Sequence, residues 1–149
     1  MKRFVDVHRG EIMAGKGEVV LRSDAQAPCL VIVARDGTKK VGGLAHAMFR
    51  NEGLDKEVHS AVLKDTEHAI EEMIDDMTMI GASRDDIEVS LITGENVHHD
   101  KGDPDYAGTL HAALDILRDK HIKMKDNIEE DAGDLHVTLD VYTGEVSFK

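Results

Sequence analysis

The side chains best suited to chemistry in this sequence are its single cysteine, Cys29, and one histidine, His46. A cysteine attacks a carbonyl only as a thiolate. Because an unperturbed thiol has a pKa of about 8.5, it needs a base or a positive field nearby. An imidazole beside the thiol takes its proton and later delivers a proton to a leaving amine. The pair is therefore the candidate for a cysteine nucleophile with a histidine base.

Both residues also have a purely structural interpretation. An unpaired cysteine is often a small hydrophobic residue of the core, and a histidine on a strand is often a satisfied core or edge residue. Taken together at one end of a predicted hairpin, Cys29 and His46 leave the chemical and the structural interpretations both open.

The elements that position this pair are two neighbouring strands. The apolar run 30–34 begins directly after Cys29 and ends at the turn signal of residues 35–37. A second run, 41–49, follows after a few residues and contains His46, so we expect the two to pair as a hairpin. Gly42 and Gly43 predict a close backbone approach or a bulge near His46.

The rest of the chain predicts a mixed α/β domain with mostly antiparallel pairing. Apolar residues spaced by three and four indicate an amphipathic helix over 55–79, with Gly81 at its end. We also expect a short strand at 19–21 and a half-buried strand over 87–92, followed by a polar loop over 93–103. A second helix should begin at Pro104 and carry one apolar stripe, formed by Tyr106, Leu110, Ala113, Leu114 and Leu117. The last expected elements are strands over 135–141 and 145–148, joined by a turn.

Length and composition narrow the classes of function. The 149 residues suit one domain spanning 1–149. A net charge of −12 and an aromatic content of 3% argue against nucleic acid and anionic membranes as partners. A single cysteine excludes an intrachain disulfide, and no long apolar stretch is present, so we expect a cytoplasmic protein in a reducing compartment, without membrane insertion.

Other clusters give weaker signals. The sequence His98-His99-Asp100 lies in the predicted polar loop and lacks a second ligand pair at usable spacing, so no metal site is expected. The glycine-containing stretch 10–17 lacks a following helix and a Lys-Ser/Thr pair, which argues against a phosphate-binding loop. No organic cofactor is expected either.

The stretch Cys29 to Asp36, followed by Val41 to Met48, resembles the active-site region of the CheD family of chemoreceptor glutamine deamidases. In that family a cysteine begins an apolar strand, and a Gly-Gly/Ala-x-Ala-His-x-Met segment supplies the histidine. A threonine six positions before the cysteine completes the family's catalytic set, and Ser23 occupies that position here. The resemblance implies Cys29, His46 and Ser23 as catalytic residues, on a layered β-sandwich flanked by two or three helices.

The same resemblance implies a function. The chain would be a cytoplasmic hydrolase of the chemotaxis signal-transduction system that deamidates glutamine side chains of methyl-accepting chemoreceptors, with a CheC-type phosphatase as a further partner. Three segments depart from the family pattern: Ala27-Pro28, residues 93–96 and residues 127–133. The departures suggest an alternative, a non-catalytic CheD-like module that docks the phosphatase or the receptor. A third interpretation is an unrelated acidic α/β protein in which Cys29 only packs.

Overall fold

The computed structural model describes residues 2–8, 11–23, 29–48, 56–94, 113–130 and 136–148, with the backbone alone at 29, 47–48, 56–65, 93–94, 126–130 and 148. Its strands form two sheets. The four-stranded sheet contains β1 (Arg3–Val7), β3 (Val19–Ser23), β8 (Val137–Asp140) and β9 (Val146–Phe148) in that spatial order. The five-stranded sheet contains β2 (Ile12–Lys16), β5 (Val41–Met48), β4 (Cys29–Asp36), β6 (Ile87–Gly94) and β7 (Lys123–Glu130) in that order.

Most strand pairs within the described ranges are antiparallel. The parallel ones are β1 with β3 and β6 with β7, and β4 pairs antiparallel with both β5 and β6. The predicted hairpin of β4 and β5 is confirmed, with Asp36 opposite Val41 next to the turn. The predicted mixed α/β architecture, a layered sandwich with mostly antiparallel strands, is confirmed as well.

Two apolar layers hold the sandwich together. Alternate residues of β4 and β5 point to opposite sheet faces, so Val31, Val33 and Leu44 pack against Leu21 and Leu139 of the other sheet. Apolar residues on the opposite face of these strands form a second core with the helices, and this core includes Leu30, Ile32, Ala45, Ile70, Met73, Met77 and Leu117. The chain therefore stacks as sheet, sheet and helices.

Helix α1 (Lys56–Met79) confirms the predicted amphipathic helix. Its end is also as predicted, because Gly81 adopts a left-handed φ of 116°. The Gly81 N–H donates to the Thr78 carbonyl at 3.2 Å and the Ala82 N–H to the Met77 carbonyl at 3.0 Å, the two bonds of a Schellman cap. In the described part of the chain, helical segments do not combine the length and apolar character that crossing a membrane requires.

A second helix, α2, is described over 113–119, where the buried Ala113 and Leu117 match the predicted apolar stripe. Its predicted start at Pro104, with Tyr106 and Leu110, lies outside the described residues. The Lys120 side chain, just beyond α2, is hydrogen-bonded to Glu71 of α1, which joins the two helices across their exposed surface.

The two adjacent glycines of β5 bring both neighbouring layers close, as the sequence predicts. A Cβ on Gly42 would lie 2.8 Å from Val141 Cγ2 and 3.0 Å from Leu139 Cδ2, in the other sheet. A Cβ on Gly43 would lie 2.8 Å from Met73 Cγ, on α1. The pair thus lets the opposite sheet and the helix approach one strand from its two faces.

Three features of the fold differ from the sequence prediction. Strand β6 continues to Gly94, so Thr93 and Gly94 are not loop residues. Residues 127–130, part of a segment that departs from the family pattern, belong to β7, which was not predicted. This strand, Lys123–Glu130, is rich in charged residues because it lies at the edge of its sheet, where charges protect against pairing with other chains. The sequence also did not predict separate positions for strands β1 and β2.

The buried carboxylate of Asp36 supports the turn after β4. Its Oδ1 accepts hydrogen bonds from the backbone N–H groups of Thr38 (3.0 Å) and Lys39 (3.1 Å), and its Oδ2 accepts one from Ser83 N–H at 2.8 Å. Burial opposes ionisation of this carboxyl, but the three backbone donors outweigh it, and its pKa lies below the ordinary value. Asp36 therefore ties the β4–β5 turn to the segment that follows α1.

We expect Asp36→Asn to lower the free energy of unfolding by about 2 kcal/mol at neutral pH, since an amide nitrogen cannot accept the Ser83 N–H. A depressed folded-state pKa stabilises the protein above the unfolded-state pKa and ceases to do so as pH falls through the folded value. The difference between wild type and variant should therefore shrink below about pH 4. Urea unfolding at a series of pH values measures it, with the exposed Asp85→Asn as control; a difference independent of pH would contradict the assignment.

Candidate active site

Ser23 is the last residue of β3 and is 2% exposed. It occupies the same sheet face as Val19 and Leu21, which belong to the core between the sheets. Its Oγ accepts a hydrogen bond from the Val137 N–H at 3.0 Å. A hydroxyl that accepts one hydrogen bond can still donate its own hydrogen, so this contact is compatible with the expected role of orienting an imidazole.

His46 lies on β5 directly opposite Val31 of β4 and is 1% exposed. It shares its sheet face with Leu44 and Val31, and this face is turned toward the four-stranded sheet. The His46 backbone N–H donates to the Glu11 carbonyl at 3.1 Å, so β5 is held on both sides at this residue. The ring therefore belongs to the space between the two sheets.

Cys29 is the first residue of β4, as predicted, and pairs with Met48. Because Val31 pairs with His46, the backbone register makes positions 29 and 46 diagonal neighbours on the same sheet face. The Cα atoms of such positions are roughly 7–8 Å apart in an antiparallel pair, which is within reach of long and aromatic side chains. The side chain of Cys29 lies outside the described residues.

The topology gathers these three positions at one end of the sandwich. Ser23 ends β3 and Cys29 begins β4, and because only residues 24–28 separate them in the chain, their Cα atoms are at most roughly 22 Å apart. Ser23 and His46 lie on the two inner faces that oppose each other. An arrangement of hydroxyl, imidazole and thiol positions at one sheet end can serve nucleophilic chemistry on a carbonyl.

A residue that the sequence did not single out also lies at this end. His136 directly precedes β8, and its Nδ1 is 2.5 Å from the carbonyl oxygen of Ser23. The two residues are 113 positions apart in the chain. A histidine at the start of a predicted strand was the only signal in the sequence, and their contact depends on the pairing of β3 with β8.

The other histidine candidates do not form a site in the described structure. His98, His99 and Asp100, considered as metal ligands, lie outside the described residues. Within the described ranges, no group of three His, Cys, Asp or Glu side chains could hold a metal ion. His68 is exposed on α1, with its Nε2 3.6 Å from a carboxylate oxygen of Glu72, one helical turn further along.

The fold and the site define an α/β sandwich with a polar cluster at one end of its inner faces. Similar architecture occurs in the crystal structure of NMB0706 from Neisseria meningitidis, a DUF152-family protein, with a TM-score of 0.55, 11% identity and 88% of this chain covered. This chain spans 65% of the length of that protein. At that identity the likeness shows the fold alone.

Sequence comparison supports the family resemblance. The chain is 28% identical over 142 residues to a Methanococcus maripaludis protein named "Probable chemoreceptor glutamine deamidase CheD", with 94% of this chain and 90% of the relative covered. It is 26% identical over 133 residues to the "Chemoreceptor glutamine deamidase CheD" of Thermotoga maritima, with 89% and 80% covered. Scanning against protein-family descriptions gives no match. Both relatives carry the CheD name, and they support the assignment of this chain as a divergent CheD-family member.

Proposed function

We propose that this chain is a cysteine-dependent protein-glutamine deamidase that converts glutamine side chains of methyl-accepting chemoreceptors to glutamate, releasing ammonia. The observation that carries the proposal is the register of β4 and β5, which makes Cys29 and His46 diagonal neighbours on one inner sheet face. The names of the two relatives indicate the substrate. The reaction requires water and no cofactor.

The proposed mechanism has two halves. His46 accepts the Cys29 thiol proton, the thiolate attacks the amide carbon, and the imidazolium protonates the amide nitrogen so that ammonia leaves. His46 then deprotonates a water molecule, which attacks the resulting thioester, and the proton returns to the departing sulfur. Glutamate and the free thiol are the products. Ser23 would orient the imidazole, as the third member of a nucleophilic triad does.

The proposal also covers the domain organisation, the cellular location and a protein partner of the enzyme. Residues 1–149 would form a single domain, because strands from both ends of the chain share the four-stranded sheet. The reaction would take place in the cytoplasm, where a reactive thiol is kept reduced. A CheC-type phosphatase is proposed as a further partner through the family resemblance.

The second candidate function is a docking module without turnover. The near-complete burial of His46 favours it, since a general base must come within hydrogen-bonding reach of its proton donor and of a water molecule. Pro28 adds a second argument because proline has no backbone N–H to stabilise an oxyanion beside the cysteine.

The pH dependence of alkylation at Cys29 distinguishes the two. With iodoacetamide, we expect wild-type protein to react well below the pH range of an ordinary thiol, and His46→Ala to shift the midpoint of the rate profile upward by at least about one pH unit. The protein has a single cysteine, so every modified molecule reports on Cys29. His68→Ala, at an exposed position on α1, is the matched control. Slow alkylation with the same profile in wild type and His46→Ala would favour docking.

A further inference from the structure

The end of β3 departs from regular strand pairing at Ser23. The Val141 N–H donates to the Val19 carbonyl at 2.9 Å, and bonded pairs in an antiparallel ladder recur at every second residue. The ladder should therefore bring the Val137 N–H to the Ser23 carbonyl. Instead the register ends one pair earlier, at Arg22 and Thr138, and the Val137 N–H is bonded to Ser23 Oγ.

The imidazole of His136 supplies the donor that the Ser23 carbonyl loses by this exchange. A carbonyl oxygen only accepts hydrogen bonds, so the Nδ1 atom 2.5 Å away must carry the hydrogen. The side chains of Val137 and Leu139 face the core between the sheets. Because side chains alternate along a strand, the ring of His136 lies on the opposite, outer face of its sheet. Ser23 is thus held at both of its oxygen atoms by two consecutive residues.

We propose that His136 is a positioning residue that keeps the Ser23 hydroxyl in place for the chemistry of Cys29 and His46. The inference rests on the proposed deamidase function. Without the His136 donor, the Val137 N–H can return to the Ser23 carbonyl, its regular partner in the continued ladder. The Ser23 hydroxyl then loses its hydrogen bond from Val137.

The test compares His136→Leu with His136→Asn by steady-state deamidation of a chemoreceptor fragment. Leucine keeps bulk but has no donor, whereas the amide nitrogen of asparagine occupies nearly the place of Nδ1. We expect His136→Leu to lower kcat about tenfold or more, with KM changed less than about threefold, and His136→Asn to restore most of the rate. His68→Leu controls for replacing a histidine at an exposed position, and thermal unfolding of each variant reports the folded fraction.

The outcomes separate the two proposals. If the wild type is active and folded His136→Leu has the same kcat, the positioning role is wrong and the deamidase proposal still stands. Equal losses of kcat in folded His136→Leu and His136→Asn also overturn it, because the donor would then be irrelevant. If wild-type protein releases no ammonia, the deamidase proposal fails, and the role of His136 in it fails too.

Discussion

Replacing Cys29 with alanine is expected to lower the rate of glutamine deamidation in chemoreceptor fragments at least about 10³-fold, because no other side chain in the chain can form the thioester. The measurement is the mass increase of receptor peptides when a side-chain amide becomes a carboxyl group, followed together with ammonia release. The thiol is the sole one in the sequence, so the variant removes every candidate sulfur nucleophile in one step.

Cys29→Ser serves as the companion variant. A hydroxyl has nearly the shape of the thiol but is a much weaker nucleophile at neutral pH, so we expect it to be almost as inactive as Cys29→Ala while still binding receptor. Receptor binding by both variants would show that the loss lies in chemistry. Equal mass increase with wild type and Cys29→Ala would show that Cys29 is not the nucleophile.

The second large effect is expected at Gly42, where Gly42→Ala should lower the free energy of unfolding by roughly 1–3 kcal/mol. The added methyl would lie 2.8 Å from Val141 Cγ2 and 3.0 Å from Leu139 Cδ2, with the Ala34 carbonyl oxygen 3.4 Å away. A β-branched valine has few alternative rotamers, so the two sheets must move apart. Because Gly42 and His46 lie on the same face of β5, the site between the sheets should be disturbed as well.

Gly43→Ala is the matched control, since the same change is made at the next residue on the opposite face. Its methyl would contact Met73 Cγ at 2.8 Å and Met77 Sδ at 3.0 Å, and unbranched methionine side chains adapt to new shapes. We expect a loss below about 1 kcal/mol. Urea unfolding of both variants measures the difference, and equal losses would show that the spacing of the sheets does not depend on Gly42.

The sequence predicts the parts of this fold that depend on neighbouring residues. The apolar runs on either side of the turn at Asp36 predict the β4–β5 hairpin, and this hairpin by itself makes Cys29 and His46 neighbours. The spacing of apolar residues predicts α1, and Gly81 predicts its end because a left-handed φ is cheapest for glycine. The glycine pair predicts close packing on β5. The CheD resemblance rests on this same local segment.

Tertiary structure decided what depends on contacts between distant segments. Strand β7 has no apolar alternation, and only its parallel pairing with β6 makes it a strand. Likewise, Ser23 and His136 meet because β3 pairs with β8, and sequence spacing carries no record of that pairing. Local patterns report which backbone conformation a segment prefers, whereas the choice of partner depends on burying shared apolar faces. The position of the Ser23 hydroxyl therefore follows from the assembled sheets and not from the segment that contains it.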